Sequence, residues 1–185
     1  MKKLAVLFPG IGYTCDRPLL YYTGKLALSC GYEIVKVEYG GFESGIKGNR
    51  EKMQNAFYSA LLQAEGILKD VSWHEYSDII FIGKSVGTIV SAAYMKKYNI
   101  IGRNIVYTPL EDTFLFADGR GIVFHGTNDP WARNTDAIKE CCKKIDQRLY
   151  TVEGANHSLE TGDLLKDIDI IKDALISVEK FIKQK

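Results

Sequence analysis

The sequence contains a serine placed as a catalytic nucleophile would be, between two glycines where an apolar run ends. Residues 81–88 read FIGKSVGT, so that Gly83 and Gly87 stand two positions before and two positions after Ser85. Glycines at these positions let the chain turn sharply from a strand into a helix and lift the serine hydroxyl clear of the sheet. Ser85 is therefore a candidate nucleophile, although a serine here would also serve as an ordinary helix cap.

A serine nucleophile needs a base, and the sequence offers three histidines for that role. His157, in the segment EGANHS, follows an apolar run and is the candidate base; the alternative is an ordinary exposed loop histidine. His74 lies in a polar stretch ahead of an apolar run, which would place it at the opposite end of the predicted sheet. His125 ends an apolar run, and we expect it to pack or hydrogen-bond beneath the loop that follows.

The base in turn needs an acid that orients it, and Asp129 in the segment HGTNDPW is the candidate. Pro130 biases the residue before it towards an extended backbone, which would help to aim the carboxylate. The alternative is that Asp129 caps the helix after it. Asp112 and Asp118 also compete for this role, but both fall in the connection after the fourth predicted strand.

The elements that must position these residues alternate along the chain. Short apolar runs rich in β-branched residues predict strands, and the longer segments with helical spacing between them predict helices. This alternation predicts an α/β fold in which a mostly parallel, six-stranded sheet lies between two layers of helices. The predicted strands are 3–8, 33–38, 78–82, 104–107, 121–125 and 147–152, and the predicted helices are 18–30, 50–69, 86–98, 132–145 and about 164–183.

Ligands of such sheets bind at the carboxyl ends of the strands. The segments PGIGYT, GKSVG, HGTNDPW and EGANHS each follow a predicted strand directly, so the candidate serine, aspartate and histidine are expected at one edge. Aromatic residues in the loops of this edge would line an apolar substrate pocket, or would simply pack. The candidates for the pocket are Tyr13, Phe42, Phe114 and Trp131.

The chain order Ser85, Asp129, His157 resembles that of the α/β-hydrolase superfamily, whose triads run nucleophile, acid, histidine. The resemblance extends from LFPGIGYT to the C-terminal helix and is greatest to the compact branch without a cap, which includes dienelactone-hydrolase-like proteins and small esterases. It implies a minimal α/β-hydrolase fold with first and third strands adjacent and the second outside the first. The family's two leading antiparallel strands are missing, and serine stands where dienelactone hydrolases have cysteine.

The resemblance also implies an oxyanion hole built from two backbone N–H groups. One would be that of Val86, directly after the nucleophile, and the other would come from the segment PGIG, at Ile11 or Gly12. The HGGG motif that marks the second donor in many relatives is absent, so the choice between Ile11 and Gly12 stays open.

The function implied by the resemblance is hydrolysis of a small-molecule carboxylic ester or thioester, without a metal or an organic cofactor. Two alternatives come from other classes. One is a non-catalytic α/β-hydrolase domain used for binding or scaffolding. The other is a flavodoxin-like nucleotide binder, which is disfavoured because PGIGYT lacks both a phosphate-loop lysine and a full G-x-G-x-x-G motif.

The bulk properties narrow the partners and the location. A net charge of +1 gives no electrostatic reason to expect nucleic acid or an anionic membrane as partner. No apolar run approaches the ~20 residues of a membrane span, and the one at 4–8 is too short for a secretory signal. Four cysteines without a C-x-x-C pair indicate reduced thiols in a cytoplasmic protein, and no zinc site.

Residues 108–120 are too few for a cap, so we expect a single domain over 1–185; no pattern indicates the oligomeric state.

Overall fold

The computed structural model describes residues 2–46 and 48–184, and the six strands in these ranges form one sheet in which all neighbours are parallel. The strands stand in the order second, first, third, fourth, fifth, sixth, which confirms the predicted sheet and its arrangement. The strands are β1 (Lys2–Phe8), β2 (Glu33–Lys36), β3 (Tyr76–Lys84), β4 (Arg103–Tyr107), β5 (Gly121–Gly126) and β6 (Arg148–Val152).

Five α-helices connect and follow the strands, as the helical spacing predicts. The fourth begins at Thr135, later than expected, because the side chain of Asn134 caps it by accepting the Ala137 N–H at 3.0 Å. Of the helices in the described ranges, none combines the length and apolar character needed to cross a bilayer. The helices are α1 (Pro18–Ser29), α2 (Arg50–Leu68), α3 (Val86–Lys97), α4 (Thr135–Lys144) and α5 (Leu164–Lys183), with short 3₁₀ helices at Trp73–Glu75 and Glu111–Leu115.

The helices cover both faces of the sheet because side chains alternate along each buried strand. In β1, Leu7 contacts the layer formed by α1 and α5, whereas Phe8 contacts the layer formed by α2 and α3. Helix α4 packs on the second face against Val106 and Val123. The three layers leave the carboxyl ends of the strands uncovered by helices, and the loops there form the candidate site.

The end of β1 and the first turn of α3 approach so closely that their backbones touch. Any side chain at Gly87 would overlap the carbonyl oxygens of Phe8 and Pro9. A Cβ at Gly83 would lie 2.8 Å from the Cα of Thr88, inside the turn between β3 and α3. The two glycines that flank the serine are thus needed for two different contacts, one between elements and one within the turn.

We expect Gly87→Ala to lower the free energy of unfolding by about 2 kcal/mol or more, because a clash with backbone atoms cannot be relieved by rotating a side chain. Gly66→Ala in α2 is the control, since no atom lies within 4 Å of the Cβ that it would gain. That change should stabilise the helix by up to about 1 kcal/mol. Chemical denaturation measures both variants, and equal stabilities would contradict the close approach.

Candidate active site

Ser85 occupies the turn between β3 and α3 in a conformation that residues other than glycine rarely adopt, with φ 55° and ψ −126°. Its N–H donates to the carbonyl of Tyr107 at 3.0 Å, and its own carbonyl accepts the N–H of Thr88 at 2.9 Å. Such strain persists only where the surroundings hold it. Here the end of β4 and the first turn of α3 hold it, so the hydroxyl stands at the carboxyl edge of the sheet.

His157 joins Ser85 to Asp129. Its Nε2 lies 2.7 Å from Ser85 Oγ, and its Nδ1 lies 2.6 Å from Asp129 Oδ2. When Nδ1–H donates to the carboxylate, Nε2 is left to accept the hydroxyl hydrogen of the serine. The ring of Trp131 lies beside the imidazole, with 5.8 Å between the ring centres. Three residues that the sequence places after three different strands therefore form one hydrogen-bonded chain.

Asp129 is buried, and both of its carboxylate oxygens are used. Oδ1 accepts the N–H groups of Trp131 at 2.8 Å and Ala132 at 3.4 Å, while Oδ2 faces His157. Burial by itself would raise the pKa of Asp129, but these hydrogen bonds outweigh it and hold that pKa below its usual value. Asp129 is thus ionised at neutral pH and oriented towards the imidazole. It does not cap α4, whose cap is Asn134.

The loops that carry the aspartate and the histidine are bound to each other. The N–H of Asn128 donates to the carbonyl of Ala155 at 2.9 Å, and the N–H of Gly154 donates to Thr127 Oγ1 at 2.8 Å. Because the two loops leave adjacent strands and share these hydrogen bonds, the histidine is held in a fixed position relative to the carboxylate.

The competing candidates lie elsewhere. His125 is buried with Nε2 3.1 Å from Thr135 Oγ1, beneath the following loop as expected, and burial lowers its pKa. His74 belongs to the 3₁₀ helix ahead of β3, at the opposite edge of the sheet. Asp112 lies in the 3₁₀ helix after β4, and Asp118 pairs with a neighbouring arginine. In residues 2–46 and 48–184, no three His, Cys, Asp or Glu side chains are grouped closely enough to hold a metal ion.

Backbone N–H groups reach the site from the loop after β1 and from the start of α3. Gly10 and Tyr13 bind each other, with the N–H of each donating to the carbonyl of the other at 3.0 and 3.2 Å. Within the described part of the chain, the intervening N–H groups of Ile11 and Gly12 donate no hydrogen bond. Val86 is the first helical residue of α3, where an N–H has no acceptor within its helix. All three of these unused donors belong to residues that line the cavity beside the serine.

That cavity has a volume of about 640 Å³ and opens at the carboxyl edge of the sheet. One part of its wall comes from the glycine-rich loop between β2 and α2, which carries no chemical motif in the sequence. Ser85 and His157 lie in the wall, together with Ile11, Gly12, Tyr13, Glu43, Gly45, Ile46, Met53, Lys84, Val86, Pro130, Trp131, Asn156 and Ser158.

Comparison with known proteins finds similarity in structure and none in sequence. No protein-family model matches the chain, and no curated protein sequence matches it. A Xanthomonas campestris protein assigned to the α/β-hydrolase superfamily matches with a TM-score of 0.70 and 14% identity over 99% of each chain. An α/β serine hydrolase homologue from Coxiella burnetii matches with a TM-score of 0.64 and 16% identity, over 98% of this chain and 83% of that one. The chain has an α/β-hydrolase fold.

A second Xanthomonas campestris structure, an α/β serine hydrolase without a lid, matches this α/β-hydrolase fold with a TM-score of 0.61 and 12% identity. The alignment covers 99% of this chain and 84% of the Xanthomonas chain. In the present chain, residues 108–120 between β4 and β5 contain only a 3₁₀ helix, which is held on α3 by a 2.6 Å hydroxyl contact between Thr113 and Thr88. None of these residues lines the cavity, so this connection leaves the site open.

Two of the four aromatic residues predicted to line the pocket are part of its wall, namely Tyr13 and Trp131. Phe42 instead packs edge-on against Tyr39, with 5.9 Å between the ring centres. Phe114 packs against the apolar core beneath α4. The structure thus does not bring Phe42 and Phe114 to the pocket, because the loops that carry them turn these rings towards apolar neighbours.

Lys84, directly before the serine, is a charged residue of the site for which the sequence motif predicts no role. Its side chain is only 3% exposed and runs beneath the loop after β1, where a Cβ on Gly10 would lie 3.3 Å from Lys84 Cδ. The ammonium lies 4.8 Å from the centre of the Tyr13 ring and, among the described residues, donates no hydrogen bond. Burial lowers the pKa of Lys84 to about 8, although the charges of Asp129 and Glu160 oppose this.

We expect Lys84→Met to be more stable than the parent at pH 7, by an amount on the order of 2–3 kcal/mol. Below about pH 8 the Lys84 ammonium is charged in both the folded and the unfolded chain, and its burial destabilises the parent most. Between about pH 8 and 10 only the unfolded chain keeps the proton, so the difference in stability between Lys84→Met and the parent should shrink. Denaturation across pH 7–10 measures it. Lys172→Met, on the exposed face of α5, should leave this pH profile unchanged. A parent as stable as Lys84→Met at pH 7 would contradict the burial of the charge.

Proposed function

We propose that this protein is a serine hydrolase that cleaves a carboxylic ester or thioester of a small molecule through an acyl-enzyme on Ser85. The observation that carries the proposal is the hydrogen-bonded chain Ser85–His157–Asp129 in the wall of an open cavity. The α/β-hydrolase fold alone would not suffice, because folds of this kind host unrelated functions. The proposal therefore depends on the geometry of these three side chains.

In the first half of the reaction, Ser85 Oγ attacks the carbonyl carbon while His157 Nε2 takes the hydroxyl proton. Asp129 holds the imidazole through Nδ1 and stabilises its charged form. The same Nε2 then gives the proton to the leaving alcohol or thiol, which departs as the acyl-enzyme forms. In the second half, His157 takes a proton from water as the resulting hydroxide attacks the acyl group; His157 then returns that proton to Ser85 Oγ, and the carboxylic acid leaves.

The negative oxygen of each tetrahedral intermediate needs donors that are already in place. The N–H of Val86 and one from the loop after β1, at Ile11 or Gly12, are the proposed pair. They are suited to this role because they are not committed to other acceptors and because their residues line the same cavity as the serine. Their fixed position avoids the cost of reorganising donors as charge develops.

The cysteines are consistent with a cytoplasmic location for this activity. All four are free thiols. Burial raises the pKa of Cys15 and of Cys142 to about 12, so both stay protonated at neutral pH. Reduced thiols are typical of proteins in a reducing compartment.

Ser85→Ala should abolish labelling by a neutral fluorophosphonate probe and lower turnover of an activated ester by about 10⁴- to 10⁶-fold. Asp129→Asn should lower turnover by about 10⁴-fold, because the imidazole loses its orientation. Ser77→Ala, at the exposed opposite end of β3, is the matched control and should change neither readout. Circular dichroism checks that the variants fold. Full activity in both site variants would refute the triad, and an unlabelled parent would favour a binding protein instead.

The open cavity predicts a preference for short acyl groups. Without a cap over the site, a long chain stays in water, and each methylene left unburied forgoes about 0.8 kcal/mol of transfer free energy. Rates with p-nitrophenyl esters from acetate to palmitate should therefore show no gain in kcat/KM beyond butyrate and no rise at a lipid–water interface. A much higher kcat/KM for palmitate, or activity only above the micellar limit, would show that a deep acyl site exists.

A further inference from the structure

Lys84 is a cavity residue that the proposed hydrolysis does not use. Its side chain is almost completely buried, yet it lines the cavity next to Ser85. Among the described residues no hydrogen-bond acceptor meets its ammonium. A buried charge without a hydrogen-bonded partner is costly, and an anion that entered the cavity would offset that cost.

The neighbours of the ammonium do not neutralise it. Asp129 is committed to His157 and to two backbone N–H groups, and Glu160, on the loop after β6, is exposed to solvent. Tyr13, on the loop after β1, presents the face of its ring, while its hydroxyl oxygen accepts the N–H of Leu19 at 3.0 Å. Burial raises the pKa of Tyr13 to about 12, so it stays a neutral phenol. The unsatisfied side of the ammonium therefore faces the cavity.

We propose that Lys84 binds a carboxylate of the substrate and sets the specificity of the site for esters or thioesters that carry a negative charge near the scissile carbonyl. Lys84 and Ser85 line the same cavity, so a carboxylate bound by Nζ would share that cavity with the serine hydroxyl. The apolar wall formed by Ile46, Met53 and Val86 would receive the uncharged part of the molecule. This inference rests on the proposed serine hydrolase activity.

Two pairs of esters test on which side of the carbonyl the charge is recognised. Monomethyl succinate and methyl succinamate differ in charge on the acyl side; O-acetylglycolate and O-acetylglycolamide differ in charge on the alcohol side. The parent should favour the anion of at least one pair by about 10- to 100-fold in kcat/KM, measured by acid release at pH 7, as expected for a hydrogen bond between charged groups.

Lys84→Met should bring that ratio close to one, and Lys84→Gln provides a second uncharged variant should Lys84→Met fold poorly. Lys172→Met, which removes an exposed lysine far from the cavity, should keep the parent's ratio. In the parent, the ratio should also fall as the pH rises through about 8, where the ammonium loses its proton.

A second measurement needs no particular ester, because it follows the rate at which the neutral fluorophosphonate labels Ser85. Succinate should slow labelling of the parent and succinamide should not, and the protection by succinate should be absent in Lys84→Met. A parent that is not labelled at all would refute the proposed function. A parent that is labelled, but shows ratios near one in both pairs and no protection by succinate, would overturn this inference alone. An equal loss of rate on both members of each pair in Lys84→Met would likewise overturn it.

Discussion

The backbone contact between the end of β1 and the first turn of α3 is the constraint on which the rest of the site depends. Gly87 lets the start of the helix lie directly against the carbonyl groups of Phe8 and Pro9. As a result, the N–H groups at the start of α3 and those of the loop after β1 reach the same cavity beside Ser85. A side chain at this contact would push the start of α3 away from the loop after β1 and so separate the two sets of donors.

The order of the strands supplies the other half of the site. Strands β5 and β6 are neighbours, paired as far as Gly126 and Val152, so the loops that carry the aspartate and the histidine start side by side. Strand β4 lies between β5 and β3, and its last residue, Tyr107, accepts the N–H of Ser85. Ser85 is thus held by the strand beside its own, and the short loops that carry Asp129 and His157 are held by each other.

The two buried charged side chains at this edge, Asp129 and Lys84, differ in their hydrogen bonding. Both carboxylate oxygens of Asp129 accept hydrogen bonds, which stabilise its ionised form although the residue is buried. Lys84 lies under the loop after β1 with an aromatic face beside it and no acceptor among the described residues. Among the described residues, the fold thus satisfies one buried charge with hydrogen bonds and leaves the other without an acceptor beside the cavity, at some cost in stability.

Local pattern was enough to predict the elements and the edge of the sheet where the candidate residues would lie. Periodicity and turn residues act within a few positions, and a parallel α/β sheet binds ligands at one edge, so the sequence alone assigns Ser85, Asp129 and His157 to that edge. The solved α/β hydrolases that share this fold are only 12–16% identical to the chain, so the fold does not depend on most of the individual residues.

The sequence by itself determined the order of strands and helices, the strained turn at the serine and the edge shared by the three candidate residues. Only the tertiary structure decided which loop side chains face the cavity: Phe114 reaches the core beneath α4, and Lys84 is buried because the distant loop after β1 folds over it. The reason is physical. Backbone conformation is governed largely by neighbours in the chain, whereas the burial of a side chain depends on which remote segment comes to lie against it.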